Sequence, residues 1–246
     1  MRPSLLSLSE NVDSAAAMAM SQQATSPPRD DRRDDIVTAL EHIDTWQLVA
    51  LASALGWASG VRLYAVLLVV GALGFFDVVA LPGGLKVLAH PFVLAAAGFM
   101  TFVEFFADKI PGVDSLWDVV HTVIRIPAGA ALAGAVFGDM GSAATIGAAI
   151  LGGGLAAGSH LAKAGTRAAI NTSPEPLSNW TASLAEDVGV GVLLWLAFAH
   201  PLAALVLLVL MIVLAAWLVP KVWRGVRRVL ARLSGWRAGP RQDGAR

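Results

Sequence analysis

The sequence predicts an all-α fold, a polytopic membrane helix bundle of about six transmembrane helices with two polar, proline-containing segments in a pseudo-repeat. Three observations predict it. The chain of 246 residues is 56% hydrophobic and only 15% charged, outside the range of an ordinary soluble domain. Its apolar runs approach the roughly 20 residues that a helix needs to cross a hydrocarbon core. Lys and Arg gather on alternate connections, as they do where short loops stay on the cytoplasmic side.

Residues 1–45 are rich in Ser, Ala and Gln, with the Pro27-Pro28 pair and a mixed-charge run over residues 29–35, and are expected to form a disordered cytoplasmic tail. The stretch 5–20 is broken by Glu10, Asn11 and Asp13, so it does not read as a signal peptide. The membrane domain is expected over residues 46–219, with spans at 46–75, 91–107, 126–137, 143–161, 184–199 and 201–219. The third is short and is expected to borrow the amphipathic residues 119–125 as its first turns.

With both termini cytoplasmic, Arg29, Arg32, Arg33, Lys109, Arg125, Lys163, Arg167 and the basic residues from Lys221 onward fall inside, and only Lys86 falls outside. Residues 220–246 form a basic tail. There Arg224, Arg227, Arg228 and Arg232 recur at helical spacing among Val222, Trp223, Val226 and Val229, the pattern of an amphipathic helix lying on an anionic leaflet. The expected partners are therefore the lipid bilayer and anionic lipid at this tail, and no nucleic acid.

The polar residues concentrate in residues 104–127. At about 3.6 residues per turn Asp114, Asp118, His121 and Arg125 share one stripe, opposite Leu116, Val119, Val120, Val123 and Ile124. Such a helix either lines a polar vestibule or lies in the interface with its stripe in water, and the interfacial arrangement is the commoner one. Residues 108–117 align with residues 171–180, matching Pro111 to Pro174, Ser115 to Ser178 and Trp117 to Trp180, and the two blocks read as related units, re-entrant or interfacial. A plainer reading makes Ser115 and Ser183 helix caps, with Asp118, Glu186 and Asp187 as helix-start carboxylates and Pro111 and Pro174 in first turns.

Glu104 and Asp108 lie one turn apart at the end of the second span, and His160, Lys163 and Arg167 share a face at the end of the fourth. If the two spans are neighbours, the acids pair with the bases. Arg62 stands alone within the first run, where it needs a carboxylate, a wet cavity or a headgroup, and Ser59-Gly60 could loosen the helix beside it. Gly56 with Gly60, Gly134 with Gly138, and Gly154 with Gly158 are spaced for close helix packing.

The absence of cysteine excludes disulfides and thiolate chemistry. HExxH, a nucleophile elbow, a phosphate-cradling glycine loop and CxxC are also absent, so no catalytic residue, cofactor or metal is assigned. A membrane-embedded enzyme would need a divalent metal touching Asp114, Asp118 or His121.

The stretches ADKIPGVDSLWDVVHTVIR at residues 107–125, ASGVRLY at 58–64, SPEPLSNW at 173–180 and SLAED at 183–187 resemble the bacterial membrane proteins grouped as domain of unknown function 4126. The resemblance covers residues 46–219. It implies a multi-pass protein of the bacterial inner membrane and no assigned activity. The residues themselves point to passage or binding of a small polar or anionic solute, an ion or a lipid headgroup. Arg62, Lys109, His121, Arg125, His160, Lys163 and Arg167, with Glu104, Asp108, Asp114, Asp118, Glu186 and Asp187, would line the pathway. The alternative is a membrane subunit that transports nothing, its charges locking the helices together.

Overall fold

A computed structural model describes residues 31–110, 112–171 and 176–237. Residues 1–30 of the expected N-terminal tail, the last residues of the basic tail, Pro111 and Pro174 lie outside the described residues. The chain divides into two compact units, Met1–Ile43 and Asp44–Arg246, and the membrane bundle belongs to the second. The helices are α1 (Asp31–Phe75), which enters the second unit at Asp44, α2 (Pro91–Ala107), α3 (Val113–Val136), α4 (Ser142–Ile170), α5 (Pro176–Ala199) and α6 (Pro201–Arg237). Short 3-10 turns at Gly83–Ala89 and Gly138–Met140 complete the order, and no strand occurs among the described residues.

Five helical stretches are long and apolar enough to cross a membrane: Thr45–Phe75, Val113–Val136, Ser142–Ile170, Leu177–Ala199 and Pro201–Gly225. A sixth forms if Gly83–Ala89 and Pro91–Ala107, bent by 71°, count as one broken span. The polytopic all-α bundle predicted by composition is thus the observed architecture. The polar segments do not interrupt it as hairpins. Residues 113–125 are the first turns of α3, and residues 176–187 are the first turns of α5. What separates α2 from α3 is a tight turn at Gly112, whose φ of +86° suits glycine because it has no Cβ to clash.

Helix α1 is the axis. Half of its apolar window is buried inside the protein, against 11% for α6, and every residue from 50 to 63 is buried. Small residues make this possible. A Cβ added to Gly56 would lie 2.7 Å from Gly152 Cα, and one added to Gly152 would lie 2.7 Å from Gly129 O, so the backbones of α1, α4 and α3 touch at one level. Gly60 in turn sits against Ala156 O and Ser159 Oγ.

The expected pairing through Gly154 and Gly158 is not what the structure uses. Both face open space, because the stripe of α4 that meets α1 is Gly152, Ala156 and Ser159, on a different helical face. At the other end of the helices from residues 104–125, Asp139 Oδ2 accepts the Gly83 N–H at 3.2 Å and joins the two 3-10 turns.

Candidate functional site

The site begins with a break in α1. At Arg62 the backbone leaves helical geometry (φ −143°, ψ 69°), two residues beyond the Ser59-Gly60 pair where loosening was expected. Residues of α4 bond to carbonyls around the break. Ser159 Oγ donates to Trp57 O at 2.7 Å and Lys163 Nζ donates to Val61 O at 3.1 Å. Backbone carbonyls left without helical partners need others, and α4 comes close enough to provide them because Gly60 and Ala156 keep the two helices in contact.

The break turns the Arg62 guanidinium toward α2 and α5. Its Nη1 lies 2.9 Å from Asp108 Oδ2, and its Nη2 donates to Ser183 Oγ at 2.6 Å and to Ser183 O at 3.2 Å. Its Nε approaches Asp187 Oδ1 at 3.0 Å as an ion pair without hydrogen-bond directionality. Ser183 therefore lies within α5 as an acceptor for Arg62 and does not cap a helix. Asp187 closes the group, part-exposed at 32%.

Asp108, at the end of α2, is the hub. Its Oδ2 also receives Lys163 Nζ at 2.7 Å, and its backbone oxygen accepts from Arg167 Nη1 at 2.9 Å. Burial alone would push this carboxyl up, but Lys163 and Arg62 beside it outweigh that and hold it below its ordinary range. The pairing of the acidic end of α2 with the basic end of α4 is realised through Asp108. Glu104 departs from it, since its Oε1 pairs with Arg125, which also donates from Nη1 to Asp118 Oδ1 at 2.7 Å. Arg167 grips Glu186 with two prongs, Nε to Oε1 at 3.2 Å and Nη2 to Oε2 at 2.9 Å, and reaches Asn179 as well.

The stripe on α3 faces inward. Asp114, Asp118, His121 and Arg125 are all buried, while Leu116, Val119, Val120, Val123 and Ile124 are exposed on the opposite face. The interfacial arrangement with the charges in water is therefore overturned. An apolar outer face with the charges satisfied inside the bundle is the arrangement that a lipid surrounding demands. Asp114 Oδ1 accepts the Gly112 and Ser115 N–H groups, so the first-turn carboxylate is Asp114 and neither Ser115 nor Asp118 caps the helix.

The two polar blocks meet there. Asn171 Nδ2 donates to both oxygens of Asp114 at 2.9 Å and to Ser115 Oγ at 3.0 Å, and Asn179 Nδ2 donates to Asn171 Oδ1 at 2.8 Å. His121 stacks on Trp117 and bonds Tyr64 OH through Nε2 at 3.1 Å. His160 Nε2 bonds Thr122 Oγ1 at 2.7 Å, with Nδ1 3.4 Å from Arg125. Lys109 lies over the Phe105 ring, 2.9 Å from its centroid, and burial together with Arg62 pushes its pKa down.

Twelve of the thirteen residues marked in the sequence form one connected region, joined mainly through Asp108, Arg125 and Arg167, while His121 stands beside it on Trp117 and Tyr64. Sequence reasoning gave no site role to Asn171, Asn179, Ser183, Tyr64, Thr122 or Ser159. Tyr64 is the only tyrosine of the chain, two residues beyond the buried arginine, and that was the available signal. Asp114, Asp118 and His121 take separate partners, and among the described residues no three metal-ligating side chains converge.

Next to this lattice lies a cavity of about 310 Å³ between α1, α4, α5 and α6. Lys163 and Glu186 stand in its wall among Trp57, Val190, Met211 and Leu214. Trp57 Nε1, on a residue of its wall, makes no hydrogen bond within the protein, nor do Glu104 Oε2, Asp108 Oδ1 and Asp118 Oδ2 within the lattice itself.

No curated protein and no solved structure matches the chain. The family described as Domain of unknown function (DUF4126) matches residues 49–221, which takes in the break in α1, the charged stripe of α3 and the pairing segments of α4 and α5, and the chain belongs to that family.

Proposed function

We propose that the protein binds a small polar or anionic solute, an ion or a lipid headgroup within its bundle and passes it across the bacterial inner membrane, with both termini in the cytoplasm. The cavity that opens onto Glu186, with Lys163 buried behind it, carries this reading. A lattice that served only to hold helices together would bury its charges completely, whereas here the ion-paired Glu186 carboxylate keeps 15% of its surface beside open space. The break at Arg62 supports passage, since an interrupted helix beside charged groups offers a place where packing can rearrange.

In this reading Arg62, Lys163 and Arg167 attract the anionic part of the ligand, and Glu104, Asp108, Asp118, Glu186 and Asp187 balance them or carry protons. The exposed Arg224 and Arg227, beyond the Trp217–Lys221 cation–π pair at 3.2 Å, hold anionic lipid at the cytoplasmic leaflet. Reconstituted proteoliposomes test it with three readouts: an internal pH dye, currents evoked by chloride or inorganic phosphate, and flip of a fluorescent phospholipid. At least one is expected to respond and to weaken in Glu186→Gln. Silence in all three removes passage from the proposal.

A second reading, a subunit that transports nothing, is favoured by the two-pronged Arg167–Glu186 pair and by Arg125 between Glu104 and Asp118. Such pairs fix register between helices.

A further inference from the structure

We infer that Glu104 and Asp118, on the two arms of Arg125, jointly hold one proton, which makes this buried pair a proton-binding site. The proton is thereby named as an ion of the proposed function; its passage rests on that reading, whereas its binding here does not.

The lattice has one carboxyl too many. Arg62, Lys109, Arg125, Lys163 and Arg167 stand among Glu104, Asp108, Asp114, Asp118, Glu186 and Asp187, so full ionisation leaves a surplus negative charge. Four of these acids, Glu104, Asp108, Asp114 and Asp118, are no more than 2% exposed. Away from water an unmatched charge is expensive enough that a carboxyl takes up a proton instead.

The histidines do not offset the surplus. Thr122 Oγ1 donates to Asp118 O at 2.9 Å, so it accepts from His160 Nε2, and the bare Nδ1 of that ring turns to Arg125 Nη1 at 3.4 Å. His160 is therefore neutral. His121 stands apart on Trp117 and Tyr64.

Hydrogen bonding excludes the other carboxyls as the proton's seat. Both oxygens of Asp114 accept from Asn171, and both oxygens of Glu186 accept from Arg167. Asp108 has Lys163 at 2.7 Å and Arg62 at 2.9 Å on one oxygen, and Asp187 is part-exposed. Glu104 and Asp118 differ. They share a single guanidinium, Oε1 on Nη2 and Oδ1 on Nη1, and Lys163, 3.6 Å from Asp118, is committed to Asp108. Their second oxygens, Oε2 and Oδ2, are buried and accept from nothing. One arginine with one carboxylate and one carboxylic acid is neutral, and the protonated oxygen no longer lacks a donor.

The other charged or titratable groups that face the pair are Arg62 and Tyr64 from α1, Asp108 at the end of α2, and Lys163 and His160 from α4. A metal ion would require further ligands, and among the described residues no third metal-ligating side chain joins these two.

Infrared spectroscopy of the full chain in dodecyl maltoside, a detergent without a carbonyl group, tests the site. A protonated carboxyl has a C=O stretch above the amide band that moves down in heavy water. At neutral pH the native protein should give this band, Glu104→Gln and Asp118→Asn should each lose it, and Asp139→Asn at the far end of the bundle should keep it. Each single amide replaces the acid by a neutral group, so its melting midpoint should stay near the native one. The double variant strands Arg125 and should melt far lower.

Absence of the band from the native protein at neutral pH overturns the site, as does a band that survives both single variants. Failure of both single variants to fold overturns it as well, because it would mean that both carboxylates are needed ionised. The band in a protein silent in every passage assay would remove transport and leave the proton site. Passage without the band would remove the site alone.

Discussion

Arg62 and Asp108, 2.9 Å apart, are each the residue at which a helix is interrupted: α1 leaves helical geometry at one, and α2 ends at the other. Two backbone discontinuities are thereby joined by one ion pair, which Lys163 braces from α4. The bundle's charged interior is built outward from that joint.

Replacing Asp108 by Asn should be severe. It leaves Arg62 and Lys163 without their shared carboxylate in a fully buried position, a loss of about 3 to 5 kcal/mol for a broken buried pair. Thermal unfolding in detergent should show a large drop in midpoint. Combining Asp108→Asn with Lys163→Met should recover part of it, because the second change removes one of the stranded charges. An Asp108→Asn protein as stable as the native one would show that the pair holds nothing.

Acid should act through the same residue. The folded-state pKa of Asp108 lies below its ordinary 3.8, so the unfolded chain binds this proton more readily than the folded one. Its stabilising contribution is therefore full above the ordinary carboxylate range and fades as pH falls through the depressed value. The melting midpoint against pH should lose part of its acid limb in Asp108→Asn, measured from neutral pH down to the onset of aggregation.

Glycines that look alike in the sequence should respond in opposite ways. Gly56→Ala and Gly152→Ala push a methyl group into a neighbouring backbone and should lower the midpoint and loosen the bundle. Gly154→Ala and Gly158→Ala meet open space and should be neutral or gain up to about 1 kcal/mol from helix propensity. Differential scanning fluorimetry of the four variants checks the contrast.

The orientation of α3 can be read with single cysteines, since the chain has none of its own. Val123→Cys, on a side chain 76% exposed, should resist a charged, membrane-impermeant thiosulfonate, because a thiol in hydrocarbon stays un-ionised, and a spin label attached there before reconstitution should be relaxed by oxygen more than by a water-soluble nickel chelate. His121→Cys should resist the thiosulfonate unless the interior opens. Rapid reaction of position 121 with the impermeant reagent would place the stripe in water.

Much of this was legible because lipid enforces simple rules. The number of spans followed from run lengths, and the association of Asp108 with Lys163 and Arg167 followed from an acidic helix end and a basic one. The facing of α3 did not follow. Periodicity gives the stripe but not its surroundings, and the same amphipathic pattern serves a helix in water and one turned inside out by lipid. The helices α3, α4 and α5 run further than the expected spans for a related reason. The expected spans stop short of charged residues such as Arg125, Lys163 and Glu186, whereas mutual pairing lets the helices continue through them. Glu104 was sent to the wrong helix because its true partner, Arg125, is fixed by the turn at Gly112 that folds α3 back beside α2. Asn171 and Asn179 gave no usable signal, as an amide that bridges two charged residues looks in sequence like any loop amide.

The encircled position of α1 bears on how the protein is assembled. Chains are made from the N-terminus, so Arg62 reaches the bilayer before Asp108, Ser183 and Asp187 have been synthesised. Until α2 and then α5 arrive, the first span holds a cation whose later partners do not yet exist, and its residence in lipid is expensive. The insertion machinery must therefore shelter or retain that segment, and the bundle closes around it only when translation is nearly complete.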